Sequence, residues 1–141
     1  MMRALTHAGG VRATVGIGVA LLALDPQLGL AILLANGASH AVVQVLKRVV
    51  ARPRPCDPDG HLLALIALPD PFSFPSGHAA AATAVAVTVT LREPRLGVAL
   101  IPIAIAVAAS RVTLRVHHVS DVAVGVALGF AGAVGAARLL F

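Results

Sequence analysis

The chain of 141 residues is 58% hydrophobic and only 12% charged, and it carries a formal net charge of +5. Soluble domains average about 45–50% apolar and about 25% charged residues, so this composition excludes an ordinary soluble domain and predicts an integral membrane protein. The chain has no Trp or Tyr for base stacking, and its arginines lie between apolar runs. The charge therefore indicates anionic ligands or lipid headgroups and no nucleic acid. The length predicts a single domain over residues 1–141.

The first apolar run predicts a helix from Val11 to Leu24, which follows a short polar stretch at residues 1–10 and is ended by Asp25-Pro26. A cleaved signal peptide is the competing interpretation. Leu22-Ala23-Leu24 offers no small-x-small cleavage site, so a retained helix is favoured.

A second helix is predicted from about Gln27 to Val50. His40, Gln44 and Lys47 recur along it at steps of three and four residues, so they share one face. Polar residues in a membrane helix usually face a protein interior, and this face should therefore look into the bundle. For His40, hydrogen bonding between helices without chemistry is the favoured interpretation. Lys47 differs because it is the only lysine of the chain, which suggests a requirement for a compact ammonium group.

The segment Arg52-Pro53-Arg54-Pro55 breaks the second helix, and a loop outside the hydrocarbon follows from Cys56 to Phe74. Three further helices are predicted, one from about Gly77 to Leu91, one that ends at about Ser110, and one from about Val119 to Leu140. Five crossings place the loop at 51–75, the loop at 111–118 and the N-terminus on one side of the membrane. Their polar residues can therefore converge.

Gly125 and Gly129 give the last helix a small-x-x-x-small face, which permits close contact between helices. Packing between helices of the same chain explains this face more readily than association between two copies of the chain does. A homo-oligomer that uses the Gly125/Gly129 face is the alternative.

Two polar clusters flank the long loop. In the first, Lys47 stands six residues before Arg54-Pro55, which is also the pattern of a positive flank at a helix end. The second is Pro75-Ser76-Gly77-His78 at the start of a helix, where free backbone N–H groups and the helix dipole favour an anion. Ser76 is equally suited to be a plain N-cap.

The third cluster is Ser110-Arg111, with five residues before His117 and three more before Asp121. If one helix holds His117 and Asp121, the carboxylate can accept a hydrogen bond from the imidazole. That bond would leave the other ring nitrogen available as a nucleophile, a base or a metal ligand. Together the three clusters supply one lysine, two arginines, a serine hydroxyl, backbone donors, two histidines and an aspartate on one membrane face. This inventory fits phosphoryl transfer without a metal.

The three motifs, in this order and at this spacing, resemble those of the type 2 phosphatidic acid phosphatase superfamily, which also contains bacterial acid phosphatases and vanadium haloperoxidases. The resemblance covers about half of the chain, from Lys47 to Asp121. It implies an all-α integral membrane bundle of about five transmembrane helices with a phosphatidic acid phosphatase/haloperoxidase-like core. Membrane members usually have six spanning helices, so the resemblance implies that this chain lacks the first of them.

The resemblance also implies residue roles. His117 would attack phosphorus and form a phosphohistidine, with Asp121 holding its other ring nitrogen. His78 would protonate the departing oxygen and then take a proton from the hydrolytic water. Phosphate oxygens would be bound by Lys47, Arg54, Ser76, the Gly77 backbone N–H and Arg111. No metal and no cofactor is implied, and the spacing gives His118 no role.

The expected function is metal-independent hydrolysis of a lipid phosphomonoester or pyrophosphate in a bacterial inner membrane. Phosphatidic acid, phosphatidylglycerophosphate, polyprenyl pyrophosphate and a polyprenyl-phosphoryl sugar phosphate all fit the family. A vanadate-dependent haloperoxidase and a non-enzymatic bundle that binds or transports phospholipid are the alternatives. A weaker one is a transition-metal site at His78, His117, His118 and Asp121. The positive-inside rule favours a cytoplasmic site, whereas the membrane relatives suggest an external one.

Overall fold

The computed structural model describes residues 10–68 and 70–141. In this part of the chain five helices follow one another: α1 (Val11–Leu21), α2 (Pro26–Val50), α3 (Gly77–Arg92), α4 (Pro94–Thr113) and α5 (Val119–Leu140). The predicted all-α bundle is confirmed. Apart from Gly10, the polar stretch predicted at residues 1–10 lies outside the described residues.

Asp25 separates the first two helices. Its carboxylate accepts a hydrogen bond from the Leu28 N–H at 3.0 Å, and Pro26 occupies the first position of α2. Such an N-cap satisfies backbone donors that a helix start leaves without partners. The chain therefore turns before the cap, and α1 ends at Leu21 rather than at the predicted Leu24.

The connection between α4 and α5 is shorter than predicted. α4 continues past Ser110 to Thr113, so Ser110 and Arg111 lie in its last turn. α5 begins at Val119, as predicted, with His118 as its N-cap residue. His117 therefore lies in the connection between the two helices and outside both of them.

α3 is the central helix, because it packs on α2, α4 and α5 and most of its residues are buried. Alanine is its commonest residue, and this small side chain lets neighbouring helices approach closely. By length and composition, α2, α4 and α5 can each cross a membrane. α3 has 16 residues and α1 has 11, so both are shorter than the roughly 20 residues that span a bilayer squarely.

The Gly125/Gly129 face is covered inside the chain by α3. A Cβ atom at Gly125 would collide with the Ser76 carbonyl oxygen, and one at Gly129 would collide with the Ala80 carbonyl oxygen. The close contact that these glycines permit is therefore made between α5 and α3, as packing inside the chain predicts, and a homo-oligomer through this face stays a prediction.

Loop 51–76 returns to the bundle and meets the connection between α4 and α5. Ala51 ends α2 in the left-handed region, with φ of 46°. The Ser73 N–H then donates to the Arg52 carbonyl at 2.9 Å, and the Leu65 N–H donates to the Leu114 carbonyl at 3.1 Å. The first bond closes loop 51–76 on itself, and the second joins that loop to the connection between α4 and α5.

Candidate active site

A cavity of about 220 Å³ lies where the two loops meet the ends of the helices. Its lining residues are Val11, His40, Val43, Gln44, Lys47, Arg54, Asp70, Gly77, His78, Arg111 and His117. Six of the eight residues singled out in the sequence are among them. The other two, Ser76 and Asp121, are fully buried and are not among the described residues that line the cavity.

Three cations surround this cavity. The side chains of Lys47 and Arg54 are only 8% and 1% exposed, and Arg111 is also buried. Burying cations side by side is costly unless anions compensate them. The cavity is therefore built to hold negative charge.

Asp70 supplies such a charge, and the sequence analysis missed it. Its Oδ2 lies 2.7 Å from Lys47 Nζ, and its Oδ1 lies 3.1 Å from Arg54 Nη2. Burial acts to raise the pKa of the Asp70 carboxyl, but the hydrogen bond and charge of Lys47, together with the charge of Arg54, hold that pKa below its usual range. Asp57 and Asp59 lie in the same loop, and nothing in the spacing of the three acids marks Asp70.

Arg54 is held from two sides. Its Nη1 donates to the Val116 carbonyl at 2.8 Å, and its Nε donates to the Asp70 carbonyl at 2.9 Å. These bonds join loop 51–76 to the connection that carries His117. They leave the planar guanidinium little freedom to turn.

His117 is a buried neutral imidazole. Its Nδ1 donates to the Ser73 carbonyl, and since a carbonyl oxygen only accepts, Nδ1 carries the proton and Nε2 keeps its lone pair. Burial, with repulsion by Arg54 and Arg111, lowers the pKa of His117 from 6.5 to about 3. The ring is therefore available as a nucleophile at neutral pH.

The hydrogen bond predicted between His117 and Asp121 is not formed. Asp121 Oδ2 lies 3.8 Å from His117 Nδ1 and accepts instead from the His118 N–H at 2.8 Å. Its Oδ1 accepts from the Arg52 guanidinium at 2.8 Å. The bond was expected only if one helix held both residues, and α5 begins at Val119, so His117 lies outside that helix. At 3.8 Å the carboxylate still stabilises positive charge on the ring.

The residues at the start of α3 have two roles, because Ser76 caps the helix whereas Gly77 and His78 line the cavity. Ser76 is the N-cap, and its hydroxyl accepts from the Ala79 N–H at 3.4 Å. Its own N–H donates to the Asp121 carbonyl at 2.9 Å, which fixes the start of α3 against the start of α5. Gly77 and His78 line the cavity, so the positive end of the α3 dipole lies beside the three cations.

Within residues 10–68 and 70–141, converging ligand atoms of three or more His, Cys, Asp or Glu residues occur only at Asp57, Asp59 and His61. That group lies in loop 51–76. The alternative transition-metal site at His78, His117, His118 and Asp121 is not assembled in this geometry.

Two solved structures share this helical fold. The bundle resembles the crystal structure of the first transmembrane PAP2 type phosphatidylglycerolphosphate phosphatase from Bacillus subtilis, with a TM-score of 0.82 and 28% sequence identity over 98% of this chain and 74% of that one. The fold is also similar to that of Aquifex aeolicus LpxE, with a TM-score of 0.86 and 22% identity over 97% and 83% of the two chains.

Residues 28–141 match the PAP2 superfamily, and the chain belongs to that superfamily. It is 42% identical over 95 residues to a decaprenylphosphoryl-5-phosphoribose phosphatase of Mycobacterium tuberculosis, a match that covers 64% of this chain and 49% of the relative. The protein of the same name from Mycolicibacterium smegmatis is 37% identical over 91 residues, or 62% and 46% of the two chains. The chain thus spans about half the length of the curated relatives it matches. With this family and three apolar helices long enough to span, it is an integral membrane protein.

Proposed function

We propose that this protein is a lipid phosphatase that hydrolyses a phosphomonoester or pyrophosphate through a phosphohistidine intermediate and without a metal ion. One observation carries the proposal. A buried neutral histidine, His117, lines the same cavity as Lys47, Arg54 and Arg111. The three cations supply the positive charge that phosphoryl transfer requires, and His117 supplies the nucleophile.

The reaction takes two steps. His117 Nε2 attacks phosphorus, the bond from phosphorus to the lipid oxygen breaks, and His78 in its protonated form donates a proton to that oxygen. Water then attacks the phosphohistidine, His78 accepts a proton from it, the P–N bond breaks and phosphate leaves. Asp121, at 3.8 Å from Nδ1, stabilises the positive charge that the ring carries between the two steps.

The residues around the cavity bind the phosphate in this scheme. Lys47, Arg54, Arg111 and the Gly77 backbone N–H contact its oxygens and the charge of the transition state. Ser76 is the one predicted phosphate ligand whose role changes. Its hydroxyl caps α3 and so positions Gly77 and His78.

Among lipid substrates we propose a polyprenyl-phosphoryl sugar phosphate first, in the inner membrane of a bacterium. The names of the two mycobacterial relatives support this choice. So do His40 and Gln44, which line the cavity and lie 3.3 Å apart through their side-chain nitrogens. Such groups can hydrogen-bond the hydroxyls of a sugar. Phosphatidic acid, phosphatidylglycerophosphate and polyprenyl pyrophosphate complete the panel to be tested.

The test is phosphate release by the purified protein in detergent with a chelator present. We expect wild type to release phosphate from at least one lipid, His117→Ala to release none, and His118→Ala to keep most activity, because His118 is not among the described residues that line the cavity. Labelled phosphate should appear on wild type as an alkali-stable, acid-labile adduct and be absent from His117→Ala. Equal losses in the two histidine variants, or activity that the chelator removes, would contradict the proposal.

A further inference from the structure

The carboxylate of Asp70 takes the place of an anionic ligand. Lys47 and Arg54 both reach it, and both lie among the residues proposed to bind the substrate phosphate. A carboxylate and a phosphate present negatively charged oxygens to the same donors, so one pair of cations cannot fully satisfy both at once.

We infer that the Asp70 carboxylate is a built-in competitor, an autoinhibitory contact that occupies the phosphate site until a doubly charged phosphate displaces it. The inference rests on the proposed function of the same cavity. It assigns to Asp70 a cost that every anionic ligand must meet, and that phosphomonoester or terminal pyrophosphate groups overcome more readily than the phosphodiesters of bulk phospholipids do.

The geometry allows this exchange without unfolding the loop. The backbone of Asp70 is fixed separately from its side chain, because its carbonyl accepts from Arg54 Nε at 2.9 Å. The side chain is 31% exposed, whereas those of Lys47 and Arg54 are buried. A rotation about the side-chain torsions of Asp70 breaks the bonds of its carboxylate to Lys47, to Arg54 and to the Phe72 N–H, from which it accepts at 3.0 Å, whereas the backbone bond still holds Arg54 in position.

The discrimination follows from charge. A phosphomonoester carries up to two negative charges, whereas a phosphodiester lipid headgroup carries one on its phosphate. The Coulomb gain from the same cations is about twice as large for the dianion, while the cost of displacing Asp70 is the same for both ligands. Phosphodiester lipids are in great excess around a membrane enzyme, and this cost lowers the fraction of sites that they occupy.

A positioning role for Asp70 leads to the opposite result. If the carboxylate only orients Lys47 and Arg54, its loss leaves these two buried cations without a fixed orientation and weakens the binding of every anion. If it competes, its loss tightens the binding of singly and doubly charged anions by about the same factor. Asp70→Asn keeps the shape of the side chain and removes the charge, so it separates the two roles.

The experiment measures the affinity for inorganic phosphate by thermal shift in detergent, and the inhibition of lipid phosphate hydrolysis by phosphatidylglycerol in mixed micelles. The proteins are wild type, Asp70→Asn and Asp59→Asn. The last makes the same charge change on an exposed residue of the same loop, outside the cavity lining. We expect Asp70→Asn to bind phosphate about tenfold or more tightly and to be inhibited by about tenfold less phosphatidylglycerol, because the apparent affinity scales with the fraction of sites that are open. Asp59→Asn should match wild type.

Weaker phosphate binding and a raised KM in Asp70→Asn would assign Asp70 to positioning and overturn the inference. Unchanged constants, or the same change in Asp59→Asn, would overturn it as well. The measurement of phosphate binding does not depend on catalytic turnover. Failure of the proposed activity and failure of the inference about Asp70 therefore give different results. Phosphate binding that responds to Asp70→Asn without any hydrolysis refutes only the proposed activity, whereas hydrolysis by wild type with no response to Asp70→Asn refutes only the inference. A protein that neither binds nor hydrolyses phosphate refutes both.

Discussion

A backbone carbonyl, rather than a carboxylate, sets the position of the proton on His117. Ser73 offers a neutral acceptor, so the bond fixes the tautomer without the charge that would strongly favour the protonated ring. The Asp121 carboxylate lies slightly farther away and is shared with the Arg52 guanidinium. The ring is therefore neutral, and in the proposed mechanism the carboxylate is close enough to stabilise the ring when attack on phosphorus makes it cationic.

The lowered pKa of His117 predicts a dependence of stability on pH. The pKa is about 3 in the folded protein and about 6.5 in the unfolded chain, so only the unfolded chain binds this proton between those values. The free energy of unfolding then falls as the pH drops from about 6.5 toward about 3, by about 1.4 kcal/mol per pH unit from this residue. Between pH 7.5 and pH 5 we expect wild type to lose about 2 kcal/mol more than His117→Gln. Unfolding in detergent at the two pH values measures the difference, and a difference that does not change with pH would contradict the assignment.

Residues with a motif could be predicted, whereas residues that act through a tertiary contact could not. Lys47 and Arg54 were found because their spacing is fixed along the chain. Asp70 meets them only through the path of loop 51–76, and no local pattern records that path. The same holds for Arg52, which the sequence presents as one of several basic residues and which the structure places against Asp121.

At the scale of the elements, helix starts were predictable because capping is local chemistry. Asp25 and Ser76 each accept a backbone N–H three residues ahead, and each stands directly before a helix. The end of α4 was predicted wrongly for a related reason. The polar Ser110 suggested a helix end, but its hydroxyl donates to the Val107 carbonyl at 2.6 Å, and the helix continues to Thr113.

The contact between α3 and α5 predicts different effects for two glycines of one helix. A Cβ at Gly129 would meet the backbone of α3, whereas a Cβ at Gly135 would have no atom within 4 Å. We expect Gly129→Ala to lower the free energy of unfolding by about 1–3 kcal/mol, since the helices must move apart. Gly135→Ala should be neutral or stabilising by up to about 1 kcal/mol, because alanine favours the helix.

Thermal unfolding of both alanine variants in detergent makes this comparison. Phosphate binding by Gly129→Ala should weaken as well, because the neighbouring Gly125 rests on the Ser76 carbonyl at the start of α3. Similar behaviour of the two variants would show that α3 and α5 are not in close contact.

Over the whole molecule, the two ends of the bundle use charge differently. At the cavity end, Lys47, Arg54 and Arg111 are buried among the residues proposed for chemistry. At the other end, Arg92 lies 3.3 Å from Asp25 and 5.0 Å from the centre of the Phe141 ring, with about a third of both charged side chains exposed. Exposed ion pairs of this kind contribute about 0–1 kcal/mol to the free energy of unfolding. This contact therefore links the turn before α2 to the ends of α3 and α5 only weakly.

Substitution of an arginine at the cavity end should therefore affect activity far more than substitution of an arginine at the other end. We expect Arg92→Ala to change the free energy of unfolding by less than about 1 kcal/mol and to leave kcat/KM unchanged. Arg54→Ala should lower kcat by about 100- to 1000-fold, because it removes a donor to the transition state. Assays of phosphate release and of unfolding on the same preparations test both. A large loss of activity in Arg92→Ala would show that the two ends are coupled.

Cys56 adds a means of orienting the whole molecule. It is the only cysteine of the chain, and it is exposed on the loop that carries Arg54 and Asp70. A thiol reagent that does not cross membranes therefore reports the sidedness of the catalytic end at a single natural position. Modification in intact spheroplasts would mean that phosphate is released outside the cell, where it is lost unless it is taken up again. Modification only after lysis would mean that the same phosphate returns directly to the cytoplasmic pool.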